Sequence, residues 1–355
     1  MLSFHVIGSQ LSGGAERFYM RLVHALHRRG EQVVAVNRPG SAVSAGLGPE
    51  IRQLHVPFAN MWDLYSRWKI GRAVRRERPA IVQTYMSRAT ELTHLPAGKG
   101  VIHVARLGGY YALKHFRHAH AWIGNTKDLC DYMIQGGLAS KRVFYLGNFV
   151  DLPAPTDPER LAALRTALEI PEDGLVVLGV GRINLRKGFA DLLDAFGRLP
   201  AQIRGRPLHL VIVGDGPMCR ELVEQTWQQA WGARVHWAGW QNDPDPYYAL
   251  ADLFVCPSRH EPLGNVILEA WAHGKAVVST DTVGARELMT DGVNGWIVPC
   301  EDPAAMARTI ARALEDEAAR REMGRAGRDF VATKYTQDAI VQEYLALYAH
   351  LTGCG

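Results

Sequence analysis

The stretch LFVCPSRHEPLGNVILEAWAHGKAVVST, residues 253–280, contains one complete strand–helix–strand step of the chain. Its first four residues form an apolar, strand-sized run, and residues 276–279 form another. Between these runs Pro262 and Gly264 interrupt regular structure, and residues 265–273 then show helical spacing. Because a strand, a helix and a second strand in this order build a parallel pair with a crossover, the stretch predicts an α/β fold with parallel strands.

The same alternation continues on both sides of this stretch. Strands are predicted at residues 2–8, 32–36, 80–84, 101–105, 121–124 and 143–146, and then at 175–181, 208–214, 234–238, 253–256, 276–279 and 295–298. Helices are predicted at residues 15–29, 64–78, 126–136, 189–199, 217–230, 265–273 and 303–314. This repetition is typical of doubly wound parallel sheets that carry helices on both faces.

The length of 355 residues exceeds what one hydrophobic core usually organises. The segment DLPAPTDPE at residues 151–159 contains three prolines and no periodicity, which is typical of a linker. We therefore expect two Rossmann-like domains, residues 1–150 and 151–336, that face each other across a central cleft.

Composition and net charge argue against several classes of function. No apolar run is long enough to span a bilayer, and a net charge of only +4 argues against a general nucleic-acid binder. The five cysteines show neither CxxC nor metal-ligand spacing, which favours a reducing cytoplasm. Asp243-Pro244-Asp245 offers two carboxylates, but its proline-broken setting favours a turn over a metal site.

Residues 52–78 combine five intervening cations with Trp62, Tyr65 and Trp68. Two interpretations are open. The stretch is either a basic amphipathic helix in peripheral contact with an anionic inner membrane, or a solvated helix whose tryptophans belong to the core.

Two glutamates, Glu261 and Glu269, lie on either side of the start of the helix predicted at residues 265–273. We expect Asn265 to cap this helix, so that the loop amides and the positive helix end form a seat for a phosphate or sugar-phosphate anion. A surface loop with two solvated glutamates would explain the spacing equally well if nothing else accompanied it.

Further glycine-containing loops follow other strands. In the segment GRINLRKG, Arg182 and Lys187 are placed to reach a pyrophosphate, and neither a Walker loop nor GxGxxG is present. Gly214 lies in a second turn after a strand. Near the first strand, Gly13 and Gly14 allow backbone amides to approach a ligand.

Taken together, these motifs resemble the retaining, sugar-nucleotide-dependent glycosyltransferases of the GT4 family, which have the GT-B fold. The resemblance rests on GGAE at residues 13–16, NFVD at 148–151, GRINLRKG at 181–188, VGDGP at 213–217 and the run PSRHEPLGNVILEAWAHGKAVVSTDTVGARELMTDGVNGWIVP at 257–299. The segments ARLGGYY and IGNTK are similar to the branch that assembles lipopolysaccharide.

The resemblance implies a role for each matching residue. Arg182 and Lys187 would bind the donor diphosphate, Glu261 the donor sugar and Glu269 the ribose. The backbone amides of Gly264, Asn265 and Val266 would hold sugar and phosphate, and Gly13, Gly14 and Gly214 would contribute to donor binding. It implies neither a cofactor nor a catalytic metal, because Arg, Lys and the helix dipole neutralise the leaving diphosphate.

The chain departs from the family where a histidine often follows a strand of the first domain. Here the region is VIHVARLGGYY, and His103 is expected inside the core. We assign the local role to Arg106 or to the loop that begins at Gly108. We expect His115, His118 and His120 on the helix surface, and a C-terminal helix at about residues 337–355 that crosses back onto the first domain.

The expected reaction is transfer of a sugar from a nucleotide donor, UDP or GDP, to a glycan or glycolipid acceptor of the cell envelope. A soluble small-molecule acceptor is the alternative within the class. A GT-B sugar-nucleotide epimerase and a non-catalytic sugar-nucleotide-binding module are alternatives from other classes.

Overall fold

The fold is taken from a computed structural model that describes residues 1–10, 13–96 and 100–353. The chain divides into two compact units. Unit 1 consists of Met1–Phe149 together with Gln337–Gly355, and unit 2 consists of Val150–Thr336.

Each unit is built around a parallel sheet. The strands of unit 1 are β1 Leu2–Ile7, β2 Gln32–Asn37, β3 Arg52–His55, β4 Ile81–Tyr85, β5 Ile102–Leu107, β6 Ala121–Gly124 and β7 Val143–Tyr145, in the order β3-β2-β1-β4-β5-β6-β7. Those of unit 2 are β8 Leu175–Val180, β9 Gln202–Ile203, β10 Arg206–Val213, β11 Val235–Gly239, β12 Leu253–Cys256, β13 Val277–Thr280 and β14 Trp296–Val298. Their order is β11-β10-β8-β12-β13-β14, with β9 antiparallel to β10.

The helices complete the layers. They are α1 Gly14–Arg28, α2 Ala42–Gly46, α3 Leu64–Glu77, α4 Met86–Glu91, α5 Lys127–Gln135, α6 Pro158–Ala167, α7 Phe189–Gly197, α8 Cys219–Trp227, α9 Asp245–Leu250, α10 Asn265–Ala272, α11 Val283–Leu288, α12 Pro303–Glu315, α13 Glu317–Lys334 and α14 Gln337–Thr352. No helix in the part of the chain that the structure describes is long and apolar enough to cross a membrane.

The central strands are apolar because both faces of a parallel sheet are covered by helices. All but one residue of β1 are buried, and β8 is buried along its first five residues. Side chains fix where helices begin: Asp63 accepts from Ser66 N at α3, and Thr282 accepts from Ala285 N at α11.

Helix α14 belongs to the core of unit 1. Its inward side buries Ile340, Val341, Tyr344, Leu347 and Tyr348 among residues of α1 and the sheet. The Tyr348 hydroxyl also donates to Gln83 Oε1 of β4 at 2.7 Å. The last helix therefore supplies both apolar area and a buried hydrogen bond to unit 1.

Three local expectations were wrong. Strand β3 was missed because Arg52–His55 lacks an apolar run. Part of the expected linker is helical: α6 begins at Pro158, and Asp157 caps it by accepting from Glu159 N. The interpretation of Trp62 and Trp68 as core residues is also wrong, since their exposed fractions are 85% and 49%.

Candidate functional site

The candidate site lies in unit 2, where the loops after β8, β10 and β12 meet. These strands are neighbours in the order β10-β8-β12, and the chain order reverses at β8, which is where doubly wound sheets bind ligands. Backbone hydrogen bonds join the loops: Ile183 N donates to Asp215 O at 2.9 Å, and Arg259 N donates to Arg186 O at 2.8 Å. The three loops therefore form one connected rim.

The loop after β8 turns sharply in order to place Lys187. Leu185–Lys187 forms a single 3-10 turn, and the Asn184 side chain accepts from Lys187 N at 3.2 Å. Gly188 then adopts φ 65°, and a Cβ at this position would lie 2.0 Å from Pro257 O. Only glycine combines this conformation with so close an approach of the neighbouring loop.

Lys187 and Glu261 form an ion pair across this rim. Their side chains are 25% and 10% exposed. Burial alone would lower the pKa of Lys187, but the adjacent Glu261 carboxylate raises it above its usual value. Lys187 is therefore a cation at neutral pH, held against a largely buried carboxylate.

Two further hydrogen bonds fix Glu261. Ser258 Oγ donates to Glu261 Oε2 at 3.3 Å, and Gly284 N donates to the Glu261 backbone carbonyl at 2.8 Å. Both the carboxylate and the main chain of Glu261 are thus anchored within unit 2. A carboxylate fixed in this way is suited to orienting a polar ligand.

The start of α10 differs from our expectation in one detail. Gly264, with φ 82°, is the N-cap residue, and Asn265 is the first helical residue, so the expectation that Asn265 caps the helix was wrong. The left-handed conformation at the cap explains the need for glycine. Ile267 N donates to Gly264 O at 2.8 Å, and the amides of Asn265 and Val266 precede it in the first turn of the helix.

Glu269 lies one turn further along α10 and is half-buried. Tyr248, which is fully buried, donates its hydroxyl to Glu269 Oε2 at 2.9 Å. Burial first, and then the Glu269 carboxylate, raise the pKa of Tyr248 well above its usual value. Tyr248 therefore remains a neutral donor that holds the Glu269 carboxylate in place.

The two other predicted residues of unit 2, Arg182 and Gly214, lie in different surroundings. Arg182 is exposed on the loop that follows β8. Gly214 lies in the loop after β10, but its amide donates to Gly239 O at 2.8 Å. This hydrogen bond ties Gly214 to the end of β11, and a contribution of Gly214 to donor binding stays a prediction.

One pair in this site was missed by sequence reasoning. Arg259 donates from Nε to Asp191 Oδ2 at 2.8 Å and from Nη2 to Asp191 Oδ1 at 2.7 Å. Asp191 lies in the first turn of α7, so this bidentate pair fastens the loop of Glu261 to the helix that follows Lys187. The two residues are 68 positions apart, and no local pattern connects them.

The predicted residues of unit 1 lie on separate elements. Gly13 is the N-cap residue of α1 and Gly14 is its first residue, while Leu11 and Ser12 of the same predicted loop lie outside the described residues. Gly108 follows β5 and is half-buried. Their contact with a donor or acceptor stays a prediction.

Arg106 is a buried residue of β5 rather than a loop residue. Its Nε donates to Tyr344 Oη at 2.9 Å, and its Nη2 donates to Asn148 Oδ1 at 2.5 Å. Its guanidinium also lies 3.9 Å from the centre of the Phe18 ring. Arg106 thereby connects β5 to α14 and to the residues just before unit 2, and its role towards a donor or acceptor stays a prediction.

Four histidines of unit 1, His94, His103, His118 and His120, have their rings close together. His103 is buried, as expected, and its Nε2 lies 3.0 Å from Thr84 Oγ1. His118 and His120 are half-buried around it, and His115 pairs with Glu91 at 2.9 Å, so the expectation of a plain surface location was wrong.

Within residues 1–10, 13–96 and 100–353, no group of three or more histidine, cysteine, aspartate or glutamate side chains is arranged to hold a metal ion. The acids of Asp243-Pro244-Asp245 have other partners. Asp243 pairs with Arg160 at 2.9 Å, and Asp245 begins α9.

Known proteins resemble this chain in sequence and in fold. The family described as "Glycosyl transferases group 1" matches residues 162–330. The chain is 35% identical over 341 residues to the lipopolysaccharide core biosynthesis glycosyltransferase LpsE of Rhizobium meliloti, covering 95% of this chain and 96% of the relative. It is 31% identical over 340 residues to LpsD of the same organism, covering 95% of each chain.

A solved structure shares the architecture. HepE of Anabaena, in complex with UDP and glucose, superposes with a TM-score of 0.84 at 21% identity, covering 99% of this chain and 100% of that one. At this identity the match bears on the fold, and the fold it supports is the GT-B arrangement of two parallel-sheet, Rossmann-like domains.

Proposed function

The chain belongs to the glycosyl transferases of group 1, the GT4 family, and on that premise we propose that it transfers a sugar from a nucleotide-sugar donor to a cell-envelope glycolipid. The observation that carries the proposal is the ion pair of Lys187 with Glu261, close to the first turn of α10. One cation, one anchored carboxylate and a set of backbone amides meet there, which matches the needs of a sugar diphosphate.

We assign the donor half of the reaction to unit 2. Arg182 and Lys187 bind the diphosphate, and the amides of Gly264, Asn265 and Val266 hold its oxygens at the helix start. Glu269, oriented by Tyr248, accepts hydrogen bonds from the ribose hydroxyls. Glu261 accepts from hydroxyls of the donor sugar.

The pairing of Lys187 with Glu261 suggests how binding and chemistry are coupled. When a diphosphate enters, Lys187 exchanges a carboxylate partner for a phosphate, and Glu261 gains lone pairs for the sugar. Because both side chains are already ordered, little reorganisation is needed at the moment of reaction.

We propose that the stereochemistry at the sugar is retained through attack on the face from which the diphosphate leaves. The acceptor oxygen forms a bond to the anomeric carbon while the bond from that carbon to the phosphate oxygen breaks. The acceptor proton passes to the departing phosphate. Glu261 stabilises the developing positive charge on the sugar, and Arg182 and Lys187 stabilise the negative charge on the leaving diphosphate.

The proposed acceptor is the core region of lipopolysaccharide. It is supported by the two Rhizobium meliloti relatives, whose names assign them to lipopolysaccharide core biosynthesis and which match almost the whole chain. For the donor base we propose uracil, because HepE, which shares the fold, is seen with UDP and glucose.

The test begins with thermal shifts of the full chain in UDP-, GDP-, ADP- and CMP-sugars, followed by transfer of radiolabelled sugar to lipopolysaccharide core acceptors. We expect stabilisation by a UDP-sugar and EDTA-insensitive transfer. Glu261→Gln should lower transfer at least about a hundredfold while keeping UDP affinity, and Glu172→Gln, an exposed glutamate of unit 2, is the matched control. Full activity in Glu261→Gln would contradict the assigned role.

A further inference from the structure

Helix α3 of unit 1 and the turn that precedes it carry a row of exposed aromatic and apolar side chains outside the site described above. Trp62, Leu64, Tyr65 and Trp68 are 85%, 76%, 55% and 49% exposed, and we call them the aromatic patch. Tyr65 and Trp68 stack with their ring centres 5.9 Å apart. Large apolar side chains that cluster on a surface in this way mark an interaction site more often than single exposed ones do.

Helix α3 carries hydrophobic side chains on two opposite sides. Ser66, Ile70 and Val74, spaced four residues apart, are buried and form the narrow stripe that packs on unit 1. At 100° per residue, Leu64, Tyr65 and Trp68 lie on the opposite side. The aromatic patch is therefore not required to hold α3 in place.

Cations continue the same outward side towards the end of α3. Arg72 and Arg75 follow Trp68 by four and seven residues, and Arg76 lies next to them. The guanidinium of Arg72 lies 5.3 Å from the Trp68 ring centre, and Lys69 Nζ lies 5.8 Å from that of Tyr65. We call Lys69, Arg72, Arg75 and Arg76 the cationic flank.

The carboxylates on this helix do not neutralise the flank. Asp63 accepts from Ser66 N and from Ala59 N, each at 2.9 Å, and so serves as the helix cap. Glu77 is held by Arg52 through two hydrogen bonds of 2.8 and 2.7 Å. The outward side of α3 therefore combines aromatic rings with a net positive charge.

We propose that this side of α3 binds a lipid surface that carries anionic headgroups. Tryptophan and tyrosine are favoured at the boundary between headgroups and acyl chains, because each has an apolar body and a polar tip. Arginine and lysine beside them are attracted to anionic headgroups, and their stems cover apolar surface. Charge complementarity selects an anionic lipid surface over a neutral one.

The test is co-sedimentation of the full chain with vesicles of phosphatidylethanolamine and phosphatidylglycerol, compared with vesicles of phosphatidylcholine alone. We expect binding to the anionic vesicles, weakened by added salt. Arg72→Gln with Arg76→Gln should weaken partitioning about thirtyfold, from the attraction that each cation contributes near an anionic surface. Trp62→Ala with Trp68→Ala should weaken it about tenfold or more.

The matched controls are Trp227→Ala with Trp240→Ala, two exposed tryptophans of unit 2, and Arg308→Gln with Arg325→Gln, two exposed arginines. Circular dichroism confirms that each variant is folded, and sugar transfer to a detergent-dispersed acceptor stays unchanged in the α3 variants. Equal binding to both kinds of vesicle, or equal binding by α3 and control variants, would overturn the proposal. So would concentration-dependent self-association that is lost in Trp62→Ala with Trp68→Ala while vesicle binding is absent.

Discussion

A double-mutant cycle on Lys187 and Glu261 tests the central contact of the proposed donor site. Lys187→Met removes the charge and keeps most of the volume, and Glu261→Gln removes the other charge and keeps the shape. Both side chains are mostly buried, at 25% and 10% exposed. At an effective dielectric constant of about 20, two charges in contact attract by about 4 kcal/mol, and partial access of water to Lys187 reduces this to about 1–3 kcal/mol.

The single variants should differ from each other. Lys187→Met leaves the more buried Glu261 carboxylate with Ser258 as its remaining side-chain donor, and should lower the free energy of unfolding by about 2–3 kcal/mol. Glu261→Gln leaves Lys187 able to reach solvent and should cost about 1 kcal/mol. The double variant should lose less than the sum, by the coupling of about 1–3 kcal/mol.

The assay is urea unfolding of the full chain, followed by tryptophan fluorescence, for the parent and the three variants. Because a chain of two units can unfold in more than one step, the transition to compare is the one whose midpoint moves with Lys187→Met. The exposed pair Arg198 and Asp194, with side chains 52% and 53% exposed, is the matched control, and its own cycle should give no measurable coupling, because water and salt screen the two charges. A coupling energy between Lys187 and Glu261 as small as that of the control pair would refute the ion pair.

Two further perturbations test the surroundings of the site. Asp191→Asn should break the bidentate link between Arg259 and α7, leaving Arg259 paired with Glu301, and lower kcat about tenfold with little change in nucleotide affinity, because a shift of the Glu261 loop misplaces the reacting groups. Asp194→Asn is the control, and an unchanged kcat in Asp191→Asn would contradict a positioning role. Burial, and next the neighbouring His236, lower the pKa of His209 from 6.5 to about 4. The uncharged form of His209 therefore contributes fully to the free energy of unfolding above pH 6.5. This contribution, up to about 3 kcal/mol, is lost as the pH falls through about 4. Between pH 6.5 and 4 the urea concentration at the unfolding midpoint should therefore fall less in His209→Asn than in the parent protein. Equal falls in the two proteins would contradict the assignment.

The fold was predictable because buried parallel strands have a strong local pattern. The apolar runs of β8 and β12 fixed their positions to within a residue of the structure. Helix α6 escaped the prediction although Asp157 and Pro158 are a capping residue and a first-turn proline, since we gave the nearby prolines more weight. Strand β3 carries no such local pattern, and its place depends on pairing with β2.

The site was predictable in its residue types but not in its contacts. Sequence motifs identified Lys187 and Glu261 separately, yet their ion pair joins residues 74 positions apart. The same holds for Asp191 with Arg259, which depends on two loops meeting at adjacent strand ends. The burial of Arg106 was not predicted, because a strand end and a loop start look alike in sequence, and it is the contact with Tyr344 of α14 that covers this one.

The return of α14 to unit 1 has a consequence for biosynthesis. Unit 2 is one continuous stretch, so all of its residues are translated before those of α14. Unit 1 cannot bury Tyr344 and Tyr348, or close the Arg106 and Gln83 hydrogen bonds, until that last helix emerges. The segment made first is thus completed last, and the nascent Met1–Phe149 sheet depends on chaperones or on its own solubility while unit 2 is synthesised.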